Sequence, residues 1–402
     1  MLGTFRLGLQ GNTWVRFIGL EMGVLERSYW LAWREVAGIG PVLLHRIRQT
    51  FGDLILAWDA DVVALQAVDG IGSQRAQKIV IERRSLTPDL ILEQYQQYNP
   101  HFWTPTDPGY PALLKEIPDA PIVLHYRGNP EWLDTLKTHP GIGIVGTRKP
   151  GKYGITWTER YSTVLSKHNF TILSGLAEGI DAIAHEACLN ANGKTIAVLG
   201  NGVDQIYPLC NRKLYDRIAE KGLLLSEYPA GTRPDRNHFP ARNRIVAGLS
   251  RAVLVMEAGM QSGSLITAAQ ANEYGREVYA LAGNLDSDQM LGCIHLISQG
   301  AQILPRPETF LEMMEIMPKT IAPVVDRCQL ETQLASLQST LEPALFIIVE
   351  TIVKLGNNAP IDLVIETTKL STSEVSSGLL QLELLDVVTQ GPGMRYAIVL
   401  GG

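Results

Sequence analysis

The densest group of side chains able to hold an anion is the run Phe239-Pro240-Ala241-Arg242-Asn243-Arg244-Ile245-Val246-Ala247-Gly248-Leu249-Ser250. Two arginines flanking an asparagine at a helix start suit a phosphodiester backbone, and Phe239 offers a ring on which a base can stack. The same residues also suit a buried helix start whose arginines are held by Glu227 or Glu257, because arginine serves buried ion pairs well. Four further segments are rich in glycine and small polar residues. They are Gly146-Thr147-Arg148-Lys149-Pro150-Gly151, Ser174-Gly175-Leu176-Ala177-Glu178-Gly179, Gly200-Asn201-Gly202, and Glu257-Ala258 followed by Ser262-Gly263-Ser264. Small residues at such places let backbone amides approach an anion, and helix dipoles favour negative charge there. One such segment is explained by the sterics of a tight turn. Four on one edge, with Arg148 and Lys149 adding formal charge, point to a phosphate site.

Other chemistries find less support. There is no Walker A motif, and the spacing does not fit the G-x-G-x-x-G fingerprint with its ribose-binding acid, so neither ATP hydrolysis nor NAD binding is expected, and no cofactor. Asp181 and His185 stand four apart on one helical run and could form an acid/base pair. No nucleophile accompanies them, and a structural bond at the helix start is the simpler reading. Cys188, Cys210, Cys293 and Cys328 are far apart and form no C-x-x-C pair. They read as reduced, mostly core-filling cysteines of a cytoplasmic protein, with no metal site. No stretch approaches the roughly 18 apolar residues of a membrane span.

The glycine-rich segments follow short apolar runs: Ile142–Thr147, Thr171–Ser174, Thr195–Leu199, Leu223–Ser226, Ala252–Glu257 and Glu277–Ala282. Helical runs alternate with them, which predicts an α/β fold: a Rossmann-like, doubly wound parallel sheet over residues 99–315. Sites in such sheets form beyond the C-terminal strand ends, which is where the glycines fall. Residues 1–24 show no period and read as a loose tail. Over residues 25–98 a helical pattern contains the repeats Ala37-Gly38-Ile39-Gly40-Pro41 and Val68-Asp69-Gly70-Ile71-Gly72, a helix–hairpin–helix (SAM-like) signature. Its glycines could present amides to a phosphate, with Arg46, Arg48, Arg75 and Lys78 at hand. With only those four cations at hand, a small bundle with two tight turns and no ligand is the simpler reading. Residues 316–342 read as a linker. Residues 343–402 show three helical runs and two strands around Gly391-Pro392-Gly393, the pattern of a winged helix.

Formal net charge is −6, and it is unevenly placed. Residues 1–100 carry ten Lys/Arg against ten Asp/Glu, residues 101–310 twenty against twenty, and residues 311–402 five against eleven. A neutral central domain can hold a positive site where its cations converge. The acidic end should repel phosphates; either its carboxylates merely solvate an inert module, or it contacts protein, a partner or the basic face of its own chain.

The motif set resembles that of the DNA-processing protein A (Smf) family. The resemblance rests on Ser174-Gly175-Leu176-Ala177-Glu178-Gly179-Ile180-Asp181 with Ala184-His185, Thr195-Ile196-Ala197-Val198-Leu199-Gly200, Ser226-Glu227-Tyr228-Pro229, the Phe239–Ser250 run, and Glu257-Ala258 with Ser262-Gly263-Ser264-Leu265-Ile266-Thr267-Ala268. It runs from about Tyr110 to Leu304, and the flanking domains match the family's three-part layout. It implies single-stranded DNA binding, self-association, and loading of the recombinase RecA during transformation and recombination, without catalysis. By position it makes Arg148 a phosphate-binding arginine of the first turn, with Lys194, Arg242 and Arg244 as further members of a basic pocket. Three positions depart from the pattern. Gly151 stands where the family usually has Ser, Ala282 replaces Pro, and Ile294 replaces a common Asn; the first bears on a phosphate contact. Self-association is expected through the last helix and strand of the sheet, with Leu291, Ile294, Leu296, Ile297 and Leu304 as contacts.

Two other functions fit parts of the sequence. A Rossmann-like nucleoside monophosphate hydrolase would use Glu257 as its catalytic carboxylate, but that class places its Gly-Gly-x-Gly-Thr run before the acid. A winged-helix transcription regulator needs Lys or Arg on its recognition helix, and none lies between Ser371 and Leu385.

Overall fold

In the computed structural model the described residues are 26–134, 136, 140–316, 341–355, 359–385, 387–391 and 394–398. The tail 1–24, most of the linker 316–342, Cys328 and the Pro392-Gly393 turn lie outside them. The described residues divide into one compact unit up to Pro307 and a second from Glu308.

The first unit begins with a helix over residues 26–35 and five more: Pro41–Phe51, Leu54–Asp59, Val62–Leu65, Ser73–Arg83 and Pro88–Tyr98. Trp30, Trp33, Leu44, Ile47, Leu54 and Ile79 fill their core. Gly38 and Gly70 hold matching left-handed backbone angles, φ +79° and +89°, which favour glycine. Ile39 and Ile71, one residue on, are buried, and each hairpin leads straight into an 11-residue helix. The nearest cations are already engaged: Arg46 pairs with Asp69 at 2.7 Å, and Arg75 donates to the Gly70 carbonyl at 2.6 Å. The helical core runs on into Phe102, Ile122 and Val123 at the start of the sheet region.

Nine strands form one sheet: β1 (Phe102–Trp103), β2 (Leu124–Gly128), β3 (Gly141–Gly146), β4 (Thr171–Ser174), β5 (Lys194–Leu199), β6 (Leu223–Ser226), β7 (Ala252–Glu257), β8 (Glu277–Ala280) and β9 (Gln302–Ile303). Their order is β1-β2-β6-β5-β4-β3-β7-β8-β9. From β6 to β9 every pairing is parallel, as the apolar runs predicted; such runs are what strands covered on both faces require. β1 and β2 add an antiparallel edge that lies outside the apolar runs marking β3 to β8. The chain lays β4, β5 and β6 on one side of β3 and β7, β8 and β9 on the other, so the order reverses between β3 and β7. That reversal makes the sheet doubly wound, and all parallel strands end on one edge.

The second unit contains a winged helix. Helices Pro343–Lys354, Ile361–Thr368 and Thr372–Leu384 precede strands β11 (Val388–Gly391) and β12 (Arg395–Ile398); the short β10 (Ala359–Pro360) also pairs with β12. Ser371 and Glu374 form a complete capping box on the third helix. Among the described residues no helix is long and apolar enough to cross a membrane.

Candidate nucleic-acid interface

A pocket open to solvent lies on the edge where the parallel strands end. The turn after β3 contributes Arg148, the turn after β4 Gly175–Glu178, and the loop after β5 Gly200, Asn201, Tyr207 and Pro208. Phe239 and Arg242 come from the helix His238–Leu249.

Arg242 is only 5% exposed yet lines this pocket. Its Nη1 donates to the carbonyls of Gly175 (2.5 Å) and Val198, and its Nε to Asn243 Oδ1 (3.2 Å). Among the described residues Nη2 has no hydrogen-bond partner, and no carboxylate pairs with the guanidinium. Burial pulls its pKa down to about 10, opposed by the Asp181 carboxylate, so it stays a cation at neutral pH. Asp181 is buried too; burial pushes its pKa up, and it accepts from the Gly175 and Ala177 amides at 3.1 and 3.4 Å. The turn after β4 is thus braced through its carbonyl by Arg242 and through its amides by Asp181. A Cβ on Gly175 would fall 2.3 Å from Arg242 Nη1, so any larger residue there would displace the guanidinium. This bracing consumes the Gly175 amide, and Ser174 Oγ donates to the Ile144 carbonyl at 2.6 Å. Ser174 and Gly175 therefore shape the pocket without offering free donors.

The free groups lie at the mouth. Arg148 is exposed, makes no ion pair among the described residues, and places its guanidinium 5.9 Å from the Phe239 ring centre. Phe239 stacks in turn on Tyr207, with centres 5.3 Å apart and planes at 27°. A cation and two rings make one face suited to a phosphate beside a stacked base. Lys149 is exposed on the same turn. Arg233 and Arg236, in the loop leading to Phe239, are exposed and likewise without an ion pair among the described residues. The sequence reading missed Tyr207, Arg233 and Arg236. The signal was present, as an aromatic before a proline in a strand-end loop and two arginines just ahead of the helix.

The other expected site residues serve the framework or stand nearby. Asn201 is buried and donates to the carbonyls of Gly202 and Gln205, fixing its loop; the Gly202 amide donates to Thr232. Asn243 Nδ2 donates to the Gly263 carbonyl at 3.3 Å, tying the helix start to the turn after β7, where the Ser262 and Ser264 hydroxyls meet at 2.8 Å. Gly146 ends β3 opposite Glu257.

Two expected members are elsewhere. Arg244 is buried in a bidentate pair with Glu227, Nη1–Oε1 2.8 Å and Nη2–Oε2 2.7 Å, and its Nε lies 3.3 Å from Asp119 Oδ2. This is the buried helix start foreseen as the other reading of these arginines. Lys194 opens β5, so it stands at the opposite edge, roughly 17 Å away along a six-residue strand. Its ammonium lies 5.7 Å from the Trp132 ring.

Glu257 ends β7 at the point where strand order reverses, 2% exposed, and its carboxylate accepts from the Gly151 amide at 2.9 and 3.2 Å. That amide opens the helix Lys152–Lys167. The position where doubly wound folds commonly take a phosphate is therefore filled by the protein's own carboxylate. His185 and Asp181 take different partners: His185 Nδ1 meets Thr195 Oγ1 at 2.6 Å, and burial lowers its pKa to about 3.

Residues 101–315 match the family described as DNA recombination-mediator protein A, and residues 355–394 match the DprA winged helix domain. The chain is 46% identical over 393 residues to Protein Smf of Synechocystis sp., covering 92% of this chain and 98% of that protein. It is 44% identical over 245 residues to the DNA processing protein DprA of Streptococcus pneumoniae, covering 61% of this chain and 85% of that protein. The X-ray structure of DprA from Streptococcus pneumoniae aligns with a TM-score of 0.61 at 34% identity, over 71% of this chain and 97% of that one. On these matches the chain belongs to the DNA recombination-mediator protein A (DprA/Smf) family.

Proposed function

We propose that this protein binds single-stranded DNA with little sequence preference at the strand-end pocket, loads RecA onto it, and acts as a non-enzymatic homodimer. The observation that carries the DNA reading is the pairing of a buried guanidinium with no ion pair among the described residues, Arg242, with the exposed Arg148–Phe239–Tyr207 face. A buried cation with an open donor favours an anionic ligand, and rings with few base-reading polar groups tolerate any base. Membership of a recombination-mediator family supports the RecA step, since a mediator prepares DNA for a recombinase. The non-enzymatic reading is supported by Glu257, whose carboxylate is spent on a helix N-terminus.

Mobility shift with a labelled oligonucleotide tests the binding. Single strand is expected to bind more tightly than blunt duplex of equal length. If Arg148, Arg233, Arg236 and Arg242 meet phosphates, affinity should fall about fiftyfold between 50 and 200 mM salt. Equal affinity for both forms, or no salt dependence, would remove the proposal.

The dimer reading rests on β9, which pairs with β8 and has no second partner strand among the described residues. Leu291, Ile294, Leu296 and Ile297 on the preceding helix are half-buried, and Ile303 on β9 is 59% exposed. Leu304 is covered within its own chain at 5%, leaving Ile303 as the open apolar residue of the strand. Light scattering at micromolar concentration should give twice the 44.2 kDa chain mass, and Ile303→Glu should give monomers. A monomer mass for the unaltered chain would refute it.

A further inference from the structure

The third helix of the winged-helix unit, Thr372–Leu384, obeys a strict division on its inner side. Val375, Gly378, Leu379 and Leu382 are buried. A Cβ on Gly378 would lie 2.5 Å from Ile348, so this side is pressed against the first helix of the unit. The outer side is polar in its first half and apolar in its second. Ser373, Ser376, Ser377, Leu380 and Leu384 follow one another at helical spacing. Leu380 is 61% exposed, Leu384 79% and the adjoining Leu385 55%. Single exposed leucines are ordinary, but Leu380 and Leu384 stand one turn apart and make an apolar pair on this face.

We propose that this outer face docks a basic amphipathic helical segment of a partner protein. Charge selects the occupant. Glu374 and Glu383 stand near the two ends of the helix, and Asp362 and Glu366 are exposed on the preceding helix Ile361–Thr368. Residues 341–402 carry seven Asp/Glu against three Lys/Arg. Duplex DNA, the usual guest of such a helix, would meet carboxylates and no Lys or Arg from Ser371 to Leu385. A second copy would set the same carboxylates against each other. A helix bearing leucines one turn apart, flanked by lysines or arginines, satisfies both the apolar stripe and the acidic surround.

The test uses the full chain and two labelled 16-residue synthetic peptides. One carries leucine at helical a/d spacing with lysine elsewhere; in the other, glutamate replaces each lysine. Fluorescence anisotropy should show the Leu/Lys peptide binding the intact chain at least about tenfold more tightly than Leu380→Ser/Leu384→Ser, with the Leu/Glu peptide not binding. Both leucines are exposed, so the substitutions leave the core intact. Ser377→Lys, which places a cation on the face without removing any packing, should weaken the Leu/Lys peptide similarly. Equal affinity for intact and altered chains overturns the proposal. So does a labelled blunt duplex that binds the intact chain but not Leu380→Ser/Leu384→Ser, or a self-association that Leu380→Ser/Leu384→Ser abolishes.

Discussion

Replacing Arg244 by alanine is expected to lower the melting temperature by on the order of 10 °C while leaving single-stranded DNA binding by the folded protein within about twofold. The two arginines of the His238–Leu249 helix are chemically alike, yet their surroundings separate them. Burial alone would lower the pKa of Arg244, but Glu227, with Asp119, holds it above the usual arginine value. The guanidinium side chain is 8% exposed and that of Glu227 17%. Asp119 is itself tied by the Tyr274 hydroxyl at 2.8 Å. Deleting the cation would strand a largely buried carboxylate, a defect that costs about 3–5 kcal/mol. Arg244→Lys would keep the charge but lose the two parallel bonds, and should fall between alanine and the unaltered chain. Thermal denaturation followed by circular dichroism, with DNA binding measured well below the transition, separates stability from recognition. An unchanged melting temperature with lost binding would return Arg244 to the DNA site.

That difference between Arg242 and Arg244 marks where the sequence stops being readable. Residues two apart on a helix do not face the same way, so one pocket could not take both side chains. Helical period alone, however, does not say which of the two turns toward Glu227. The position of Lys194 was legible in principle. It opens a strand whose other end carries Gly200 and Asn201, and a parallel sheet sends those ends to opposite edges. The parallel strands could be read because each is a short apolar run closed by small or polar residues, Gly141–Gly146 being the plainest. β1 and β2 could not. They lie in a proline-rich stretch without alternation, and Leu124–Gly128 is a strand only because it pairs with Leu223–Ser226, a hundred residues on. At the site, glycine content marked the correct edge but not which amides remain free. Asp181, for which a structural bond at the helix start is the simpler reading, uses the amides of Gly175 and Ala177.

The free groups that remain define the second large effect. Arg148→Ala combined with Phe239→Ala is expected to weaken binding of a short single strand about a hundredfold. Arg148 offers a charged donor that makes no ion pair among the described residues, and hydrogen bonds to charged groups contribute about 1.5–3 kcal/mol. Phe239, held against Tyr207, offers a stacking surface worth about 1–3 kcal/mol per base. The lower ends of these ranges together already come close to two orders of magnitude. Arg148 is exposed and supports nothing else in the fold, so its removal should shift stability by less than about 0.5 kcal/mol. Phe239 is half-buried and helps to order the loop through Tyr207, so its loss should cost on the order of 1 kcal/mol, well short of unfolding. Lys194→Ala is the internal control: it removes a cation from the opposite edge and should leave binding unchanged. If the control weakens binding as much as the double variant does, the strand runs along the other edge. If the double variant binds within twofold of the intact chain, the pocket is not where the DNA lies.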